Sequence, residues 1–186
     1  MSKFSRTILI IVFTLSSLIG VIFVPITQAA STKEIDIKVD AALEKFIKEI
    51  GGAKGFLKEA KGVLVFPSII KAGFGIGGEY GEGALRISGK TVDYYNTASA
   101  SIGFQLGVQS KTVILVFLEK GALKKFRNSD GWEIGIDGSV ALITLGTGGT
   151  IDTTNIRDPI VGFVFSNKGL MYNLTLEGSK ITKLKR

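Results

Sequence analysis

The residue types that most enzymes use for nucleophilic or metal chemistry are missing from this sequence. Its 186 residues include no histidine and no cysteine, which excludes Ser-His-Asp and Cys-His catalytic arrangements and the common zinc sites. Asp130, Asp137, Asp152 and Asp158 stand singly, without the alternating oxygen ligands of a calcium loop. Two distant carboxylates can still meet in a fold and act together, but no spacing here indicates it. We predict no metal, no cofactor and no enzymatic activity.

Two short patterns resemble catalytic or nucleotide-binding motifs but lack the context that those motifs need. Ser68 and Lys71 have the S-x-x-K spacing of penicillin-recognising enzymes, yet no K-T-G element follows. Gly73, Gly75 and Gly78 match G-x-G-x-x-G, but turns and alternation follow them in place of the helix that would hold a dinucleotide. Neither pattern therefore predicts an activity.

Lysine and arginine are the side chains whose distribution does indicate a ligand. The chain has 23 basic and 16 acidic residues, a formal net charge of +7, and this balance favours anionic partners such as acidic lipid. A solvated basic face without a ligand is the alternative. Aromatic residues are not interleaved with the basic ones as base stacking requires, so we expect no nucleic acid. The basic clusters are Lys54/Lys58/Lys61, Lys120/Lys124/Lys125/Arg127 and Lys180/Lys183/Lys185/Arg186.

The first residues have the order of a secretory signal peptide. Two basic residues precede an apolar run from Thr7 to Val24, and small residues that suit a signal peptidase follow it. We expect residues 1–29 to be a signal peptide cleaved after Ala29, with Ala30 as the near alternative, although the run is just long enough to remain as an uncleaved anchor. The expected location is the periplasm or cell envelope, with residues 30–186 as one domain.

The elements that must position the basic residues begin with an amphipathic helix. Ser31 and Glu34 have the spacing of a capping box, and apolar residues recur at helical spacing from Ile35 to Ile50, where a glycine pair follows. Further short helices are predicted over Ala53 to Ala60 and Glu119 to Arg127. The apolar stripe of the first helix comprises Ile35, Val39, Leu43, Phe46, Ile47 and Ile50.

From Gly62 onward, a period of two predicts strands. Val63 to Phe66 and Val113 to Leu118 are continuous apolar runs, as in strands covered on both faces. Between Ala98 and Gln109 the even positions are apolar, which predicts one strand with a dry face, buried in the core, and a wet face, exposed to solvent. We expect an α+β, β-rich fold in which a mainly antiparallel twisted sheet or partly closed barrel carries the N-terminal helix. The other predicted strands are Glu133 to Leu142, Ile160 to Phe165, Leu170 to Leu176 and Lys180 to Leu184, with turns at Asn167-Lys168-Gly169 and Gly178-Ser179.

One segment, Lys71 to Gly83, places Gly73, Gly75 and Gly77 at alternate positions of an extended chain. One face of such a strand has no side chains. The segment is therefore either a sharply twisted strand over which another segment packs closely, or the floor of a groove where a ligand or lipid headgroup approaches the backbone.

The residues from Lys33 to Lys185 resemble the SYLF domain, known as the Las17-binding actin-regulator family in its yeast representatives. The most specific shared pieces are Phe66-Pro67, Gly73 to Gly78, Gly81-Glu82-Gly83, Tyr95, Gln105 to Gly107, Trp132, Gly169-Leu170 and Leu176-Glu177-Gly178. The resemblance implies a lipid-binding module. Eukaryotic members bind phosphoinositides, in part through an amphipathic helix at the start of the domain, and some bind actin. The leader peptide argues for an exported bacterial member, with bacterial anionic phospholipid as its ligand and without actin.

Of the family's lipid-binding features, only the helix transfers cleanly onto this chain. An amphipathic helix with flanking lysines can lie in a bilayer interface, and it can equally be buried against the sheet, which we expect of its apolar stripe. The prediction is an exported, non-enzymatic domain that binds anionic membrane surfaces. The alternative is a structural or protein-interaction module of the cell envelope without lipid specificity. The expected lipid-binding residues are Lys38, Lys45, Lys48, Lys54, Lys58, Lys61, Lys71, Gly73, Gly75 and Gly77.

Overall fold

The computed structural model of the chain describes residues 30–144, 158–168, 176 and 178–186, with the backbone alone for 73–76, 101–107, 144 and 166–168. The expected signal peptide and the predicted strand Leu170 to Leu176, apart from its last residue, lie outside this part. So does Gly169 of the predicted turn, whose first two residues belong to a strand. The described residues form three helices and six strands.

The three helices begin and end close to the predicted positions. Ser31 caps the first one, because its side-chain oxygen accepts a hydrogen bond from the backbone nitrogen of Glu34 at 3.2 Å. Gly52, at φ 81°, supplies the left-handed residue between the first two helices. The helices are α1 (Thr32–Glu49), α2 (Ala53–Glu59) and α3 (Lys120–Arg127).

The strands form a mainly antiparallel sheet, built around the long second strand. β2 pairs with β1 along one edge, and with β6 and then β5 along the other; only β4 and β5 run parallel among the described pairs. The expected fold class, an α+β fold with the N-terminal helix packed on an antiparallel sheet, is confirmed. The strands are β1 (Gly62–Ile87), β2 (Lys90–Phe117), β3 (Trp132–Glu133), β4 (Ala141–Thr144), β5 (Ile160–Lys168) and β6 (Lys180–Leu184).

Apolar side chains cover both faces of the sheet, as the continuous apolar runs predicted. On one face, α1 places Ile35, Val39 and Phe46 against a cluster that includes Phe163 of β5, whose ring centroid lies 5.0 Å from that of Phe46. On the other face, α3 packs Phe126 against Trp132, Phe117 and the strands around them. The fold therefore has two cores, separated by the sheet.

The glycine-rich strand β1 curls back over its own beginning. A Cβ atom at Gly83 would overlap the carbonyl oxygen of Val65, and one at Gly81 would lie 2.8 Å from the carbonyl oxygen of Ser68. Only residues without a side chain permit such a close approach of two backbone segments. At this end of the segment, the structure shows the closely packed strand and not a groove.

The predicted strand Glu133 to Leu142 is wrong, because a turn interrupts it. Gly135 has φ 92°, and the carboxylate of Asp137 accepts a hydrogen bond from the backbone nitrogen of Glu133 at 2.7 Å. These local bonds close the turn and leave Ile136 74% exposed. Strand structure resumes only at Ala141, in β4.

The predicted dry face of the segment Ala98 to Gln109 is also wrong for the side chains that the structure describes. Ala98, Ala100 and Val108 are exposed, Val108 by 76%, whereas Thr97 on the opposite face is buried. The β2 residues that belong to the core cluster of α1 are Tyr94, Ile114 and Val116, which lie before and after this segment.

Among the residues that the structure describes, no helix has the length and the apolar character needed to cross a membrane.

Candidate functional site

A basic cavity of about 650 Å³ lies where α3, β6 and the turn between β1 and β2 come together. Five of its ten lining residues are cationic, and no acidic side chain is among them. We call this the basic cavity. Its lining residues are Ala60, Lys61, Ile87, Ser88, Lys120, Leu123, Lys124, Arg127, Asn128 and Lys183.

Helix α3 carries three of the five cations, and their spacing brings them to the same side of the helix. Lys120, Lys124 and Arg127 are four and three residues apart, and this spacing places them on one face of a helix. Leu123 and Phe126 anchor the same helix in the core. Burial of the apolar face thus orients the basic face toward the cavity.

One carboxylate forms ion pairs with two of the five cations. Asp93 of β2, with a side chain only 10% exposed, lies 3.1 Å from the guanidinium of Arg127 and 2.5 Å from the ammonium of Lys183. The other three cations, Lys61, Lys120 and Lys124, form no ion pair with the described residues. The basic cavity therefore carries an excess of positive charge that an anionic group can neutralise.

A buried tyrosine underlies the Asp93 cluster. Tyr95 is 2% exposed, and its ring lies 4.9 Å from that of Phe126. Burial, with the nearby charge of Asp93 as the lesser cause, raises the pKa of Tyr95 to about 12, although Arg127 opposes the shift. Its hydroxyl has no hydrogen-bond partner within the described part of the chain. Tyr95 therefore stays un-ionised at neutral pH and acts as part of the core.

The β1–β2 turn is a strained part of the cavity wall. Ser88 and Gly89 have φ values of 50° and 77°, the left-handed pair of a type I′ hairpin turn. Serine has no special tolerance for that region, and it costs about 1 kcal/mol there. Ser88 also lines a neighbouring cavity of about 380 Å³, which includes Lys58, Arg86 and Asp40. Because Arg86 is paired with Asp40, the excess of positive charge in this second cavity is smaller than in the basic cavity.

Helix α1 does not present its apolar stripe to a ligand. Ile35, Val39 and Phe46 are buried in the core under the helix, as expected, whereas Ile47 is 41% exposed and only borders the stripe. The three lysines of this helix that were expected to bind lipid have different surroundings. Lys38 pairs with Glu34 at 2.6 Å, Lys45 lies 5.7 Å from the ring centroid of Phe165, and Lys48 is exposed.

Polar contacts also tie α1 to the sheet. The carboxylate of Asp36 accepts hydrogen bonds from the hydroxyls of Thr91 and Tyr94, at 2.6 and 2.8 Å. Asp40 lies 2.7 Å from the guanidinium of Arg86. The pKa of Tyr94 is raised by burial and by its hydrogen bond to Asp36. Release of this helix from the sheet would break all of these contacts together.

The remaining expected site residues do not form one group. Lys54 and Lys58 are exposed on α2, and Lys61 lines the basic cavity. Lys71 is largely enclosed and lies 3.3 Å from Glu79, away from solvent. The three glycines lie within β1, where Gly73 is opposite Gly107 and Gly77 is opposite Ser101. Their part in lipid binding stays a prediction.

The sequence-based prediction of the site missed four residues of the basic cavity. Lys120, Lys124, Arg127 and Lys183 stood out as basic clusters but were not assigned to the site. The three- and four-residue spacing on α3 was the available signal. The approach of Lys183 and Lys61 to that helix depends on the β-sheet topology, which no local pattern encodes.

The described residues offer no group of three or more acidic side chains placed to hold a metal ion. Ser68 and Lys71, the pair with S-x-x-K spacing, have separate partners. The side-chain oxygens of Ser68 and Ser110 are 3.0 Å apart, and Lys71 is paired with Glu79.

Comparison with known proteins supports the resemblance over part of the chain. Residues 98–186 match the family model described as Ysc84, Las17-binding protein actin regulator. The matched range contains α3 and β6, and with them four of the five cations of the basic cavity. No curated protein matches the chain. The SYLF resemblance is thereby confirmed over residues 98–186, where the sequence matches the Ysc84 (SYLF) family model.

Proposed function

We propose that this protein is an exported, non-enzymatic domain that binds anionic phospholipid, with the headgroup held in the basic cavity. The observation that carries the proposal is the set of three cavity lysines, Lys61, Lys120 and Lys124, that have no ion-pair partner among the described residues. Basic residues near an anionic membrane contribute about 1 kcal/mol each. The volume of about 650 Å³ is in the range of small-molecule sites.

The family assignment supports a lipid ligand, and the geometry supports a site different from the one expected. The apolar stripe of α1 is committed to the core and cannot also enter a bilayer while the helix stays in place. The basic cavity, in contrast, presents its cations on exposed side chains at one end of the long β1–β2 hairpin. We therefore assign headgroup binding to the basic cavity, with the α1 and α2 lysines as a weaker, general attraction to the surface.

Vesicle co-sedimentation of the protein tests the proposal. We expect binding to vesicles of phosphatidylcholine with about one third phosphatidylglycerol, little binding to phosphatidylcholine alone, and a loss of binding at high salt. Replacing Lys120 and Lys124 by Gln should weaken binding about 30-fold, since two contributions of about 1 kcal/mol are lost.

A second double variant removes the same charge from the region that the sequence analysis favoured. Lys48→Gln with Lys54→Gln changes two exposed lysines outside the cavity. We expect a loss of no more than about threefold, which reflects net charge alone. If the two double variants lose the same affinity, the cavity is not the site and binding is a property of the whole surface.

The competing function is a structural or protein-interaction module of the cell envelope. The exposed apolar side chains of Ile70, Tyr80 and Val108 on the sheet favour it. Equal, negligible binding to both kinds of vesicle would support this alternative. The matched family is described as binding Las17 and regulating actin, but the leader peptide argues that neither is the partner here.

A further inference from the structure

Two enclosed carboxylates of this sheet each bridge two cations. Asp93 holds Arg127 and Lys183 in the basic cavity. Glu79, whose side chain is 9% exposed, lies 3.3 Å from Lys71 and 2.5 Å from Lys111. A buried carboxylate is costly unless positive charge and hydrogen bonds compensate it, and at both sites two cations supply that compensation.

A third enclosed carboxylate, that of Glu82, pairs with one cation and not with two among the described residues. Glu82, 10% exposed, lies 2.8 Å from the guanidinium of Arg186 and accepts a hydrogen bond from the hydroxyl of Tyr80 at 2.9 Å. Where the other two carboxylates have a second cation, Glu82 accepts a hydrogen bond from the backbone nitrogen of Ala30, at 3.2 Å. Arg186 also donates to the carbonyl oxygen of Ala30. Both backbone polar atoms of Ala30 are thus held by this cluster.

We propose that cleavage between Ala29 and Ala30 creates an α-ammonium group that Glu82 binds, so that the processed N-terminus is fastened to β1. This inference rests on the export proposed above. In the hydrolysis, water supplies the hydroxyl that completes the carboxyl group of Ala29 and the proton that makes the nitrogen of Ala30 an amine. The amine takes a further proton from solvent at neutral pH, because its ordinary pKa is about 8.

The contacts of Ala30 also distinguish between the two cleavage positions that the sequence allows. A cut after Ala30 would remove both backbone atoms that Glu82 and Arg186 hold. It would also place the new positive charge on Ser31, the N-cap of α1, where the helix dipole disfavours a cation. A cut after Ala29 keeps every one of these contacts and leaves Ser31 as an ordinary capping residue.

Cleavage strengthens a contact that already exists. The amide of the uncut chain offers Glu82 one neutral donor, whereas an ammonium offers three donors and a charge. Charge-assisted hydrogen bonds are roughly twice as strong as neutral ones. Because Glu82 and Arg186 are both largely enclosed, solvent ions screen the new interaction less than they would at the surface.

The test uses the full-length gene, expressed with export, and the processed protein purified from the cells. N-terminal sequencing should give Ala30 as the first residue. The matched control carries one glycine inserted between Ala29 and Ala30, so that the processed chain begins one residue earlier. At pH 6 we expect the unmodified protein to melt about 2–4 °C above the control.

Two further measurements separate the charge from the chain length. At pH 10, where the ammonium has lost its proton while the guanidinium of Arg186 keeps its charge, the difference should fall below about 1 °C. Tyr80, the other titratable group on Glu82, has a pKa raised above its ordinary value by burial and, to a lesser degree, by its hydrogen bond to Glu82. With Glu82→Gln in both proteins, the difference should be lost at pH 6 as well.

Several results would overturn the proposal: an N-terminus at Ser31, a chain that keeps its leader, equal melting of the two proteins, or a difference that does not change with pH. No lipid is present in these measurements. Failure of vesicle binding would therefore leave the N-terminal contact intact, and failure of the N-terminal contact would leave the basic cavity unaffected.

Discussion

Replacing Gly83 by alanine tests whether the curled part of β1 is as tightly packed as its geometry indicates. The added methyl group would overlap the carbonyl oxygen of Val65 and lie 2.8 Å from the ring of Phe66. Neither backbone can move away freely, since Val65 is paired with Ile114 and Gly83 with Tyr95 in the same ladder. Overpacking of this kind costs about 1–3 kcal/mol, and more where backbone atoms collide. We expect a loss of at least about 3 kcal/mol.

Thermal unfolding measures this loss directly. For a domain of this size, about 3 kcal/mol corresponds to a fall in Tm of about 6–12 °C. Gly55→Ala is the matched control: it adds the same methyl group at a position in α2 with no atom within 4 Å, and it should stabilise the protein by about 0.5–1 kcal/mol. A Gly83→Ala protein that melts within about 2 °C of the unmodified one would show that β1 has room for a side chain here, as a ligand groove would.

Three other substitutions test the surroundings of the basic cavity. Ser88→Asn should raise the free energy of unfolding by about 0.5–1 kcal/mol in urea titrations, since asparagine tolerates a positive φ; an unchanged midpoint would contradict the strain assigned to the turn. Tyr95→Phe should be neutral or stabilising by up to about 1 kcal/mol at pH 7, because it removes an unpaired buried hydroxyl. Since the pKa of Tyr95 is raised to about 12, the unfolded chain ionises first, so the unmodified protein should lose stability relative to this variant between pH 10 and 12. Asp93→Asn should lower stability by about 1 kcal/mol and tighten binding to anionic vesicles about fivefold; weaker binding would show that this carboxylate positions the cations more than it neutralises them.

The sequence predicted best the elements whose signals are local. The first helix was located by the Ser31 cap and its apolar period, and β6 by its alternation after the turn at Gly178-Ser179. The signals failed where a local bond or a distant cover decides the outcome. Alternation after Glu133 gave no sign that Asp137 would close a turn, and the even positions from Ala98 gave no sign that the core would leave Ala98, Ala100 and Val108 uncovered.

The candidate site was only partly predictable for the same reason. The basic cluster on α3 was found from the sequence, because the helical spacing of its residues can be read there directly. No sequence pattern joins that cluster to Lys61 and Lys183, which are more than 100 residues apart in the chain and meet only through β2 and its two neighbours. Lys71 was assigned to the site because lysines usually lie at the surface. In the fold it is largely enclosed beside Glu79.

The position of β6 has a consequence for how the molecule is assembled. β2 can pair with β1 as soon as the turn at Ser88 has formed, but its pairing with β6 joins Ala98 to Lys180, a contact that closes slowly because of the long intervening chain. Domains fold as their residues become available, so the strand that carries Lys183 docks late. The basic cavity therefore gains its fifth cation, Lys183, only when this strand has docked.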